Sequence, residues 1–459
     1  MKPFTLYAYS FLLVSFGLML GALIFAPEKT VQTVGDTVAQ FLFLGHVKAQ
    51  EADKSKETSE QPTEVSPVHA RPRDTYYPNS ESLAPDEMRV IACGTGMPTT
   101  RAAQAAACFL VELGNGDKFI FDIGSGSAER LSSLQIPYDY LDKVFIGHLH
   151  GDHFGALGEL FIGGGLMGRR KPLRIWGPSG AAPELGTAHA IDGMLQMYTW
   201  DLAGRAGLID FRGFKTEVKE FDYKAENAVI YQENGVTIRS FPAIHSIDGP
   251  VSFSLEWNGL KFVFSSDSYP NKWFVEYAKD ADLAIHECFV AVPDIVKKLG
   301  FTPESALLVG TQIHTAPEAF GKIMAEIKPR MAVAYHFFKD WDTTAQVYSR
   351  IRKTYDGPLS LADDFMVWNI NKDDIRVRMA VVEEETWSPP SATPPNPPDM
   401  ADREKLSKET GVPVEAIGYS DFIEGGVWGE VDDVLRGIYK EASQVLGREF
   451  PYPDKEKEE

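Results

Sequence analysis

The chain has 459 residues, a formal net charge of −20 and a pI near 5.0. That length suits one large domain or two ordinary ones. The charge argues against a general affinity for nucleic acid or anionic lipid, so nucleic acid is not an expected partner, whereas an anionic small molecule stays open because a bound metal overrides the global field locally.

Residues 4–26 are uncharged and mostly apolar, with Lys2 before them and Glu28 and Lys29 after. As a helix they would extend about 35 Å, enough to cross a hydrocarbon core of about 30 Å. A second apolar patch, Phe41 to Leu44, leads to Val47 and Ala49, which are spaced like a small-residue cleavage site. Residues 1–27 are therefore expected to be an export signal or a transmembrane anchor. Either places the rest of the chain in the periplasm, free or held at the inner membrane. Residues 28–87, rich in Glu, Lys, Ser, Thr and Pro, read as a disordered tether.

The region 88–385 reads as the catalytic domain. A strand opens at Met88 and ends in the glycine loop Cys93-Gly-Thr-Gly-Met-Pro. A hairpin about Gly114-Asn-Gly leads to Asp122-Ile-Gly-Ser-Gly, where the Asp is either a turn residue or part of a site. Tyr140 to Gly147 is a short apolar strand running into His148-Leu-His-Gly-Asp-His153. On extended backbone His148 and His150 point the same way and can hold one metal, and after Gly151 the pair Asp152 and His153 can hold a second. Imidazole with carboxylate keeps Zn, Mn and Fe as the expected ions. Residues 186–207 read as an inserted helical segment, with His189, Met194, Met197, Tyr198 and Trp200 expected to pack on the core. Later strand ends deliver His245, Ser265-Ser-Asp267, His286-Glu287-Cys288 and His336, and a helix start delivers His314. Cys93, Cys108 and Cys288 fit neither a disulfide framework nor a zinc ribbon, and are expected as buried thiols.

Residues 386–400 form a stiff Pro-rich linker, and 401–459 a helical extension with a charged tail. In it Val431, Val434, Leu435, Ile438, Tyr439, Ala442, Val445 and Leu446 make one apolar stripe at helical spacing. Such a stripe is expected to dock on its own domain; a homodimer interface or a cover over the active site is the alternative.

The His-x-His-x-Asp-His motif after a strand resembles the signature of the metallo-β-lactamase superfamily. The order from Gly94-Thr-Gly to His336 is similar to its ribonuclease Z-like branch, and also to bacterial metallo-hydrolases named for guanitoxin biosynthesis. The resemblance covers 88–369 and departs at Ser266-Asp267-Ser268 and at Cys288. It implies an α/β fold, the αββα sandwich of the superfamily, with the N-terminal apolar helix and the C-terminal helical extension added. It also implies two divalent metal ions, zinc first and Mn or Fe next. His148, His150 and His245 would hold one, Asp152, His153 and His336 the other, and Asp267 would bridge them. Asp122 would orient ligands from behind. Asp152, His314 and Glu287 form the implied catalytic set, with His314 as general acid held by Glu287. The expected activity is hydrolysis of an ester, a phosphodiester first, by a hydroxide shared between the metals. Carboxylic-ester, lactone or sulfate-ester hydrolysis, and a non-catalytic tethered binding domain, are the alternatives.

Overall fold

Met88, Val90 and Ala92 face one side of the strand Met88–Gly94, Ile91 and Cys93 the other, and all five are buried. A strand covered on both faces needs apolar residues at consecutive positions, and this pattern sets the layers of the molecule. The computed structural model describes residues 75–418 and 431–452, all within the unit Pro72–Glu459.

The first half of the chain supplies β1 (Thr75–Tyr76), β2 (Met88–Gly94), β3 (Cys108–Leu113), β4 (Lys118–Phe121), β5 (Lys143–Phe145), β6 (Leu173–Pro178) and β7 (Thr216–Phe221). The second supplies β8 (Ala228–Glu233), β9 (Val236–Pro242), β10 (Val251–Trp257), β11 (Leu260–Phe264), β12 (Leu283–Glu287), β13 (Met331–Tyr335), β14 (Leu359–Leu361), β15 (Met366–Ile370) and β16 (Ile375–Ala380). One sheet has the order β1-β16-β15-β2-β3-β4-β5-β6-β7, the other β14-β13-β12-β11-β10-β9-β8. Apart from the short parallel pair of β1 with β16, each passes from antiparallel pairs into a parallel run, β4 to β7 and β11 to β14 respectively.

Between the sheets lie Phe109, Phe121, Phe253, Phe262, Phe264 and Tyr335, with the rings of Phe121 and Phe262 5.0 Å apart. The outer face of the first sheet packs Ile91, Leu110 and Ile120 against Leu131 and Leu157 from the helices Ser127–Ser133 and Leu157–Leu166. The outer face of the second sets Val263, Ala284 and Ala332 beneath Phe274, Phe320 and Val347 from the helices Lys272–Tyr277, Pro317–Ile327 and Trp341–Ile351. The layers therefore run α, β, β, α, as expected. The inserted helices are Thr187–Met197 and Thr199–Ala203. Met194 is buried, but Met197 and Trp200 are exposed, so only part of that segment packs as expected.

Several expectations are corrected. The tether ends earlier than residue 87. Thr75–Tyr76 pairs with β16, Glu81 accepts a hydrogen bond from Arg378, and Glu87 accepts one from Asn369 at 2.6 Å. The physical reason is that the buried guanidiniums of Arg89 and Arg378 need carboxylate partners, and Glu81 serves both. Cys93 and Cys108 are not free thiols but a disulfide, because adjacent strands bring their Cα atoms to 4.9 Å; Cys288 is a buried thiol. The apolar stripe does not dock. The helix Asp432–Leu446 buries no residue, and Val434, Ile438 and Val445 are 63%, 54% and 76% exposed. Its Tyr439 side is met instead by Tyr452, 5.2 Å between rings.

The transmembrane expectation is also corrected, and with it the exported, periplasmic or inner-membrane location and the membrane as a partner. No helix among the described residues is long and apolar enough to cross a membrane. The longest of them, Asp432–Leu446, would extend about 22 Å against a core of about 30 Å. The segment 4–26 that carried the expectation lies outside the described residues, as do 28–74 of the tether.

Candidate metal centre

The site lies where strands of both sheets end. β4 runs into Asp122, β5 into the loop bearing His148 and His150 and the turn Gly151–Phe154, and β9 towards His245. β11 delivers Asp267, β12 ends on Glu287, and β13 leads into His336. Parallel strands leave their carboxyl ends on one edge, and side chains from distant parts of the chain converge there. Three non-glycine residues at these ends have positive φ, Asp122 at 55°, Ser266 at 50° and His336 at 73°. Backbone strain of this kind persists only where surrounding contacts enforce it, and it gathers at functional sites.

Two groups of donor atoms form. His148, His150, His245 and Asp267 make the first, and Asp152, His153, Asp267 and His336 the second, so Asp267 belongs to both. In the first, His150 Nδ1 stands 3.0 Å from His148 Nε2 and 3.1 Å from His245 Nε2. The far nitrogens decide the protons. His245 Nδ1 is 3.1 Å from the Ile313 carbonyl, which only accepts, so its Nε2 carries a lone pair. His148 Nδ1 meets Ser266 Oγ at 3.1 Å, and that hydroxyl donates to Asp122 Oδ2 at 2.8 Å. His148 Nε2 is therefore a lone pair too. Burial pushes His148 well down and His245 down to about 4, so both rings are neutral and ready to ligate.

In the second group, His336 Nε2 is 3.0 Å from Asp152 Oδ2 and 3.2 Å from Asp267 Oδ2. His153 Nε2 is 3.2 Å from Asp267 Oδ1, while its Nδ1 donates to Asp122 Oδ2 at 2.6 Å. Burial pushes the His153 ring down, but Asp267, Asp152 and Asp122 outweigh it and hold the imidazole well above its usual range. Burial likewise raises Asp267, and His153 and His336 pull it well below. The pocket thus draws positive charge to its centre.

These residues fit metal ions. Asp152 Oδ1, His153 Nε2, Asp267 Oδ1 and His336 Nδ1 are buried without a hydrogen-bond partner among the described residues. Ligands of a tetrahedral zinc stand roughly 3.3 Å apart, and the donor separations above match that spacing. Behind them, Asp122 accepts from Gly147 N at 2.7 Å, from His153 and from Ser266. A carboxylate held behind a ligating histidine fixes its tautomer. Two glycines make the approach tight enough. A Cβ at Gly124 would lie 2.0 Å from the Asp152 carbonyl, and one at Gly147 would lie 2.3 Å from Ser266 Cβ and Oγ.

His314 and Glu287 stand at the side of the first group. His314 Nδ1 lies 3.0 Å from Glu287 Oε1, which also accepts from Ser268 N at 2.9 Å. The ring stacks on Phe289, with centroids 4.1 Å apart and planes at 6°. Burial pushes His314 down, and the Glu287 carboxylate outweighs it, leaving the imidazole above its ordinary value. Donor atoms of His245, Asp267, Glu287 and His314 also all lie within 4.8 Å of one another. His286 is not among these groups; its Nδ1 bonds the Glu287 carbonyl at 2.7 Å and its ring meets Phe274 edge-on. Ser266, Phe289 and the Ile313 carbonyl are parts of the site that residue type and spacing do not announce.

The sequence has relatives. Ribonuclease Z of Mycobacterium marinum is 27% identical over 203 residues, covering 43% of this chain and 70% of that protein. Ribonuclease Z of Bacteroides fragilis is 34% identical over 163 residues, covering 35% of this chain and 46% of that protein. These stretches join a donor set assembled in the motif order of that branch. The chain is similar to ribonuclease Z-like hydrolases of the metallo-β-lactamase superfamily.

The profile of the family "Anti-Pycsar protein Apyc1" also matches this chain, over residues 88–297, less than half of its length. Among solved structures, the short form of human tRNase Z is similar at 21% identity and a TM-score of 0.45, covering 61% of this chain and 98% of that one. YhfI of Bacillus subtilis is similar at 19% identity and 0.46, covering 62% and 100%. The alignment spans less than half the length of the Bacteroides relative. The chain is a metal-dependent hydrolase. Its relatives overturn the exclusion of nucleic acid, since they are named as ribonucleases. A net charge of −20 describes the far field and not the field at a site able to hold metal ions.

Proposed function

We propose that this hydrolase is a binuclear metal-dependent phosphodiesterase. The observation that carries the reading is the sharing of Asp267 between two donor groups, one of three histidines and one of Asp152, His153 and His336. Zinc suits this mixture of imidazole and carboxylate best, with Mn and Fe next. When bound, two divalent ions would supply Lewis acidity and lower the pKa of water from 15.7 to about 7. With the carboxylates of Asp152 and Asp267 holding them, the site would keep a net positive charge that favours an anionic phosphodiester in an otherwise acidic protein. Ribonucleases cut that same bond, which supports the choice.

The chain's own residues do the rest. Asp122 holds His153 directly, and His148 through Ser266, so that Nε2 of each faces its donor group. Glu287 holds the proton of His314 on Nδ1 and favours the charged ring, whose Nε2 then has a proton to give to a leaving oxygen. Phe289 keeps the ring in plane for that transfer.

The test is a substrate panel on the metal-loaded full chain: bis(nitrophenyl) phosphate, a short RNA, a carboxylic ester, a lactone and a sulfate ester. Turnover should be confined to the phosphodiesters, stop on chelation and return with metal. Turnover of the carboxylic or sulfate esters alone would replace the reading.

A further inference from the structure

Ser266 is a fully buried serine held at φ 50°, a backbone conformation that glycine adopts freely and serine does not. The neighbourhood is shaped around the side chain: Gly147 carries no Cβ, and one built there would lie 2.3 Å from Ser266 Cβ and Oγ. Ser265 fixes the turn, since its hydroxyl donates to the Ser266 carbonyl at 2.5 Å and accepts from Glu287 N at 3.0 Å. A strained residue kept in place by its surroundings, with a glycine opposite to admit it, points to a role for the hydroxyl.

That hydroxyl has three neighbours. It donates to Asp122 Oδ2 at 2.8 Å, and His148 Nδ1 stands 3.1 Å from it. His153 Nδ1 lies 3.4 Å away, but its own proton goes to Asp122 at 2.6 Å. The hydrogen-bond directions then close in one way. Asp122 accepts, the Ser266 proton points to it, and the remaining Ser266 lone pairs accept the Nδ1–H of His148.

We propose that Ser266 is a positioning residue of the metal centre. Its hydroxyl extends the single buried carboxylate of Asp122 to His148, so that one acid fixes a histidine tautomer in each of the two donor groups. His153 is fixed directly and His148 through the serine, which makes the groups unequal in their dependence on position 266. This inference rests on the binuclear reading above.

The experiment measures stepwise metal affinity by chelator competition in the full chain, with the wild type, Ser266→Gly and Ser266→Ala. The step absent in His245→Ala identifies the group of His148, His150 and His245. Ser266→Gly keeps the left-handed turn without strain and removes the whole CH2OH side chain, whereas Ser266→Ala removes only the hydroxyl and keeps the strained turn. The expected result is a 10- to 100-fold loss of affinity in that step, the range seen when a partner behind a ligand is removed. The other step should be unchanged, and the metal-free Ser266→Gly protein should melt no lower than the wild type. Ser266→Ala should show the same selective loss. Equal weakening of both steps, or no weakening of either, overturns the role of Ser266. A wild type that takes up fewer than two metals overturns the binuclear reading itself and removes the inference with it.

Discussion

His314 differs from the other histidines of the site in what holds it. The ligand candidates turn their donor atoms towards one another, whereas His314 Nδ1 is held by Glu287 and its ring lies flat on Phe289. Its environment favours the protonated ring, which is the state a general acid needs. His314→Ala should lower turnover of alkyl phosphodiesters by about 10²–10⁴ while sparing nitrophenyl esters, whose leaving group needs no proton. Both metals should stay bound. Loss of metal would make His314 a ligand through the group it forms with His245, Asp267 and Glu287. At this scale much of the site was legible, because imidazoles and carboxylates declare their chemistry by type and His148 to His153 declare it by spacing. Ser266 was not, since its φ and its contact with Asp122, 144 positions away, are properties of the folded chain. The pairing of Cys93 with Cys108 was missed for the same reason: strand register, not sequence separation, sets the distance between them.

At the scale of elements, the register of β2, β3 and β4 places Arg89 opposite Glu112 and Glu112 opposite Lys118. The pairs measure 2.7 Å and 2.6 Å, and Glu112 is buried. Burial pushes the Glu112 carboxyl up, but Arg89 and Lys118 outweigh it and hold it below its usual value. A carboxyl lowered on folding contributes stability that is fully present above its unfolded pKa, about 4.3, and is lost as pH falls through the folded value. Glu112→Gln should therefore cost about 3 kcal/mol at pH 7, by leaving Arg89 buried with a weakened partner, and less as the pH drops below about 4. Urea denaturation at pH 7 and pH 3.5 measures it. A cost independent of pH would contradict the assignment. The strands themselves were readable from consecutive apolar residues, but their alignment was not. The helix Asp432–Leu446 shows the limit of periodicity: its apolar stripe is real, yet spacing alone says nothing about what covers it.

At the scale of the whole molecule, two sheets face each other across an aromatic core, and strand ends from both converge on Asp267. The αββα layering was legible because the motif order resembles a family, whereas partners inferred from net charge were not. Charge summed over 459 residues describes the long-range field, and a metal site sets its own. Under the binuclear reading Asp267 serves two metals at once. Elemental analysis of the purified full chain, wild type against Asp267→Ala, tests it most directly. The expected result is two tightly bound metals per wild-type chain and a loss at both positions in Asp267→Ala. Two tightly held metals in Asp267→Ala, or a single metal in the wild type, would contradict it.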